Sequence, residues 1–209
     1  MRRILVIVTL VFIVLSATAQ ELPVSFQRYY SKDGLTSNTI YAIHRDTYGF
    51  LWLGTEDGLT RFDGSSYKAY RYDANADHGL QTNHITSLCE DAKGRIWIGT
   101  NGGGLSYYDR NLDQIYTYTH TPDNKPMNTA ITALATDKNG NVWVCSYGAV
   151  FVINVQDPDE PCSKQYNEVQ KIFSGKVSRY VYKDKHGGMW VSAEGSVYHF
   201  NDDLKKVKR

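Results

Sequence analysis

The chain has 209 residues, with 23 Lys+Arg against 22 Asp+Glu, a balance that excludes the basic footprint by which proteins hold nucleic acid. Its three cysteines, Cys89, Cys145 and Cys162, are odd in number, irregular in spacing and without a C-x-x-C pair. That excludes a disulfide framework and a thiolate metal site, although a single bridge stays open.

In chain order, the first segment reads as a targeting signal. Arg2 and Arg3 precede an apolar run from Ile4 to Leu15, and Ser16-Ala17-Thr18-Ala19-Gln20 then supplies an A-x-A cleavage site. The run is too short to span roughly 30 Å of hydrocarbon as a helix. Residues 1–19 are therefore expected to be a cleaved signal peptide that delivers residues 20–209 to the periplasm. Removing them leaves 21 Lys+Arg against 22 Asp+Glu. A lone equivalent of the fourth strand, Phe26 to Tyr30, follows and is expected to be a strand.

From there the chain repeats itself. Trp52, Trp97, Trp143 and Trp190 are its four tryptophans, separated by 45, 46 and 47 residues. Six residues before each stands an Asp (Asp46, Asp91, Asp137, Asp184), and three before each a Gly (Gly49, Gly94, Gly140, Gly187). Within each unit the first predicted strand is Ile40–Arg45, recurring at Ile85–Glu90 and Ile131–Thr136. Asp-x-x-Gly then forms a tight turn, in which Asp bonds its own backbone and Gly takes a positive φ. The second strand carries the Trp between apolar neighbours, as in Leu51 and Leu53 or Ile96 and Ile98, so both of its faces are buried between layers. The residue two after each Trp is small: Gly54, Gly99, Cys145 and Ser192. That position and its neighbours predict Cys89 and Cys145 as small buried residues. Third strands are expected at Leu59–Phe62, Leu105–Tyr108, Val150–Ile153 and Val197–Phe200. Polar, Tyr-rich fourth strands are expected at Tyr67–Tyr72, Gln114–Thr119 and Glu168–Phe173, with Leu204–Arg209 beginning another.

Four short antiparallel strands per unit is the sequence profile of a β-propeller blade. The fold class expected is all-β, with about four four-stranded antiparallel blades centred on the four tryptophans. Four blades are few for a closed ring, so the chain is expected to be an arc of a larger propeller.

The phrases GLTSNTI (Gly34–Ile40), GFLWLGTEDGLTRFDG (Gly49–Gly64) and GRIWIGTNGGGLSYYD (Gly94–Asp109) resemble the regulator-propeller repeats of two-component systems. Those repeats form the extracytoplasmic sensor region of hybrid histidine kinases of Bacteroidetes. The resemblance implies an oligosaccharide as ligand and a downstream kinase module, or further blades, as partners. It also implies homodimerisation through regions outside this chain and an inner-membrane anchor on the parent protein. Kinase activity would belong to those other domains, and no enzymatic activity is expected here.

Function should sit where the copies differ, in loops on a rigid scaffold. One loop set precedes the first strands and carries Asn38, Thr39, Asn83 and His84. Another joins second and third strands and carries Glu56, Asp57, Asn101, Tyr147 and Glu194. These side chains can satisfy sugar hydroxyls, which donate and accept at once. As a set they are the expected ligand face. No catalytic residue, cofactor or metal site is expected: Asp137–Asn141 resembles a calcium loop only in part, since its twelfth position is Gly148 and not Glu. The alternatives are a protein-binding scaffold, or a glycan-active enzyme using carboxylates such as Glu56, Asp57 and Glu194.

Overall fold

Each Asp of the repeat folds its own turn. Asp46 Oδ1 accepts the backbone N–H of Tyr48 (3.0 Å) and of Phe50 (2.9 Å), and Gly49 takes φ +92°. Asp91, Asp137 and Asp184 repeat the pattern. The computed structural model describes residues 25–118, 130–155, 164–201 and 206–208. The expected signal peptide and Cys162 lie outside them.

Four antiparallel sheets follow one another along the chain. Blade 1 is β1 (Ile40–Arg45), β2 (Leu51–Thr55), β3 (Gly58–Phe62) and β4 (Tyr67–Tyr70), hydrogen-bonded in that order. Blade 2 is β5 (Ile85–Glu90), β6 (Ile96–Thr100), β7 (Leu105–Asp109) and β8 (Gln114–Tyr118). Blade 3 is β9 (Ile131–Thr136), β10 (Val142–Ser146) and β11 (Ala149–Ile153). Blade 4 is β12 (Ser178–Lys183), β13 (Met189–Ala193), β14 (Ser196–Phe200) and β15 (Lys206–Lys208). The first strands touch in succession, β1 on β5, β5 on β9 and β9 on β12, which is the stacking of propeller blades about an axis. Among the described residues no helix is long and apolar enough to cross a membrane.

The tryptophans seal the blade junctions. Trp52 lies in one apolar cluster with Ile85, Ile96, Ile98 and Tyr108 of blade 2. Trp97 packs with Ile131, Leu134 and Val144 of blade 3, and Trp143 with Val181, Val191 and Phe200 of blade 4. An aromatic side chain of this size removes roughly 150–250 Å² from water, worth on the order of 4–6 kcal/mol per junction at ~25 cal/mol per Å². The small residue after each Trp makes room for the incoming blade. A Cβ on Gly54 would stand 2.7 Å from Ile85 Cγ2, and one on Gly99 the same distance from Ile131 Cγ2. At the third junction Cys145 has a side chain, and the incoming first residue shrinks to Ser178. Burial pushes the thiols of Cys89 and Cys145 up to about 12, so both are inert packing groups, as their place in the repeat predicts.

The Asp does more than turn the chain. Its second oxygen accepts the indole N–H of its own Trp: Asp46 from Trp52 and Asp91 from Trp97 at 2.7 Å, Asp137 from Trp143 at 3.2 Å, and Asp184 from Trp190 at 2.9 Å. A buried indole N–H thereby keeps a partner. Burial alone would raise the Asp46 carboxyl, but the bonds from Trp52 and Arg110 outweigh it and hold the carboxyl below its ordinary value.

Three expectations are corrected. Glu168–Phe173 is not a fourth strand: it lies in helix α1 (Lys164–Phe173), so blade 3 has a three-stranded sheet. Val169 and Phe173 are buried on α1 against blades 3 and 4; their four-residue spacing satisfies a helix and a strand equally. Phe26–Tyr30 is not a strand either. Tyr29 instead packs on Phe62 and Tyr67 of blade 1, and β15 takes the outer place in blade 4. Trp190, finally, is 38% exposed where the other three tryptophans are at 0%, because no blade follows it among the described residues.

Candidate ligand face

The loops before the first strands and the tips of the second-to-third-strand hairpins meet on one face. They are fixed there by backbone hydrogen bonds. Within a blade, Glu56 N–H donates to Thr39 O (3.4 Å), Asn101 N–H to His84 O (2.9 Å) and Glu194 N–H to Val177 O (3.3 Å). Between blades, Gly58 N–H donates to Asn83 O (2.8 Å) and Gly148 N–H to Lys176 O (3.1 Å). Asn101 bridges Ala130, and Tyr147 bridges Val177. The hairpin tips of blades 1, 2 and 3 thus each tie their own blade to the next, and the face is continuous across those junctions.

Four of the nine expected ligand residues use their side chains as fasteners. Asn38 Oδ1 accepts from Ser31 N–H (2.8 Å), steadying the short 3-10 turn Ser31–Asp33. Glu56 Oε1 accepts from the Ser37 hydroxyl (3.0 Å). Asp57 accepts from Arg71 Nε and from Asn83 Nδ2, both at 3.3 Å. The other end of Asn83 accepts from Tyr72 N–H (2.7 Å). These contacts give the face its rigidity.

Of the remaining five, His84 is half-buried and the others are exposed. Thr39 and Asn101 hold backbone ties from exposed positions. The His84 ring lies on Tyr41, centroids 4.9 Å apart and planes 16° from parallel. Tyr147 and Glu194 line an open cavity of about 660 Å³ together with Arg179, whose guanidinium stands 6.0 Å over the Tyr147 ring. Glu194 sits at φ +48°, a left-handed backbone uncommon outside Gly, Asn and Asp. Ser192 and Val197 on the open side of blade 4 complete the cavity.

Tyr41 and Arg179 were not among the expected residues. Both occupy the second place of a first strand, where blades 2 and 3 carry Thr86 and Thr132. That column changes chemistry between copies beside columns that do not, and this contrast was the available signal. Among the described residues no three His, Cys, Asp or Glu side chains are grouped to share a metal ion.

Radially stacked antiparallel blades with ligand-type side chains on the loops of one face define a β-propeller module. Residues 34–57, 79–102 and 126–148 match the two component regulator propeller family. A 60-residue stretch is 40% identical to Histidine kinase P4 of Formosa agariphila, covering 29% of this chain and 4% of that protein. The fold is similar to the extracellular domains of two proteins of B. thetaiotaomicron. One, BT3049, is assigned as a hybrid two component system (TM-score 0.61, 21% identity, 87% of this chain and 31% of that one). The other is BT4673 (TM-score 0.68, 23% identity, 88% of this chain and 27% of that one). The chain therefore spans less than a third of each relative.

Proposed function

We propose that this chain is the ligand-recognition part of an exported, non-catalytic sensor. In this reading residues 1–19 direct export to the periplasm, the axial loops bind an oligosaccharide, and binding is passed to a kinase module carried elsewhere. The observation that carries the reading is the Tyr41–His84 stack, held among Thr39 and Asn101 on a face locked by inter-blade bonds. An aromatic platform suits the C–H face of a pyranose, and amide, hydroxyl and imidazole groups suit its hydroxyls. Likeness to the extracellular domains of two component systems supports the sensory role. Signal transfer needs a ligand that binds two states with different affinity, and a preformed face on a blade junction is suited to that task.

The test is calorimetric titration of residues 20–209 with a panel of neutral and acidic oligosaccharides. The expected result is saturable heat with one class, weakened about tenfold or more by Tyr41→Ala, consistent with ~1–3 kcal/mol for a lost stacking contact. Absence of heat with every glycan would favour the protein-binding scaffold. Cleavage of a glycan would favour the enzyme reading.

A further inference from the structure

Blades 1 and 2 are joined by a crossing segment, residues 71–84, which passes over the outer rim of their junction. Between this segment, β4 and the start of β8 lies an open cavity of about 480 Å³, within the ~300–1,000 Å³ of small-molecule sites. Leu80 and Ile115 give it an apolar floor, and both are buried in the cluster that holds Trp52. Its rim is polar, with Arg71 after the end of β4, Asp77 on the crossing segment and Gln114 at the start of β8. Between blades 3 and 4 the corresponding segment holds helix α1, whose Val169 and Phe173 are buried against those blades. The copies therefore differ at this place, where a binding function is expected to sit.

The walls are fastened by the fold itself. Asp113, between β7 and β8, accepts from Lys68 Nζ, from the Tyr108 hydroxyl (2.8 Å) and from the Tyr70 hydroxyl (3.2 Å). The bond from Lys68, ahead of those from the phenols, holds its carboxyl below the ordinary carboxylate value. On the other side Thr117 Oγ1 donates to Gly79 O (2.9 Å), and the His78 ring lies on Tyr116, centroids 4.8 Å apart. Walls ordered in advance lose less freedom on binding. The charges are matched in pairs, Asp113 with Lys68 and Asp57 with Arg71 Nε. Two groups are left over. The Asp77 carboxylate accepts no hydrogen bond among the described residues, and Gln114, whose Oε1 accepts from the Tyr116 hydroxyl (2.9 Å), keeps its amide N–H₂ to donate.

We propose that this cavity is a second binding site, lateral to the ligand face, for an uncharged ring polyol about the size of one sugar unit. The apolar floor takes the C–H face of such a ring. The Asp77 carboxylate accepts from its hydroxyls, and the Gln114 amide donates to one of them. The unmatched carboxylate disfavours anions, and the donors of Arg71 and Gln114 disfavour cations. A monosaccharide and a cyclitol share this chemistry of adjacent ring hydroxyls. The site is independent of the ligand face, since neither Tyr41 nor His84 lines it.

The test is saturation-transfer NMR titration of the chain with methyl β-D-glucopyranoside, methyl β-D-galactopyranoside and myo-inositol. Expected is saturable binding of at least one of the three, unchanged by Tyr41→Ala. Asp77→Ala should weaken it about tenfold, the loss of a hydrogen bond to a charged group, and Gln114→Ala should weaken it to a smaller extent. Both positions are exposed, so neither substitution opens the core, and circular dichroism with a cooperative melt verifies folding. Binding of the glycosides alone identifies a sugar site, and binding of inositol alone a cyclitol site. No binding of any probe overturns the proposal, as does binding that survives Asp77→Ala and Gln114→Ala together. Binding abolished by Tyr41→Ala also overturns it, because that result assigns the probe to the ligand face. Loss of the rim site and loss of the ligand face are therefore read independently.

Discussion

Trp97 donates its indole N–H to Asp91 Oδ2 at 2.7 Å while Asp91 Oδ1 accepts the backbone N–H of Lys93 and Arg95. One carboxylate therefore closes a hairpin and anchors the side chain that seals the blade junction. It also pairs with Arg95 Nε at 2.7 Å. Asp91→Ala should cost roughly 3 kcal/mol, because it strands a buried indole N–H and a largely buried guanidinium. Asp91→Asn should recover little of this, since its amide N–H₂ would face the indole N–H, donor to donor. Urea denaturation measures both. A loss for Asp91→Asn below about 0.5 kcal/mol, the range of ordinary surface substitutions, would show that the indole bond contributes nothing.

The small residue after each Trp is matched to the residue it receives. Gly54→Val should destabilise by about 1–3 kcal/mol through overpacking against Ile85. Combining it with Ile85→Ala should show a favourable coupling of about 1 kcal/mol or more in a double-mutant cycle. Additive losses would mean that the two positions do not meet.

Acid sensitivity follows from the same motif. The bond from the Trp190 indole is the largest influence on Asp184 and, with the backbone N–H groups of His186 and Gly188, brings its carboxyl down to about 2. An unfolded Asp titrates near 3.9. With the folded value the lower one, the contribution to stability is fully present above about pH 4 and is lost as pH falls toward 2. Asp184→Asn should therefore lower Tm at neutral pH and flatten the fall in Tm between pH 4 and 2. An unchanged acid limb would remove Asp184 from the account.

Helix α1 replaces a strand, and its apolar side decides its place. Phe173 is fully buried against Tyr198 and Phe200. Phe173→Ala should cost about 3–5 kcal/mol. Lys171→Ala removes only an exposed ion pair with Glu168 and should cost less than about 1 kcal/mol. Equal losses in thermal unfolding would contradict a docked helix.

Most of the fold was legible because the repeat states it four times. A fixed Asp–Gly–Trp register gave the turns, the double-faced second strands and the inter-blade role of the indole. The indole-to-carboxylate bond was encoded in the same constant six-residue spacing, but a turn explains that spacing by itself, so the second role stayed hidden. Around α1 the signal was ambiguous: one apolar pair four residues apart fits either period. The ligand face was legible as a set of loops but not residue by residue. Asp57 is tied up by Arg71 of its own blade and by Asn83 of the next, and Asn83 by Tyr72, partners distant in the sequence that only the folded blades bring near. Tyr41 and Arg179 escaped because they sit inside strands rather than in loops.

Acrylamide quenching of tryptophan fluorescence in the folded chain tests the blade stack most directly. Stacked blades that each seal their neighbour's indole predict one readily quenched tryptophan of the four, abolished as a class by Trp190→Phe, with Trp52, Trp97 and Trp143 protected until the chain unfolds. Ready quenching of two or more tryptophans in the folded chain, or protection of Trp190, would contradict it.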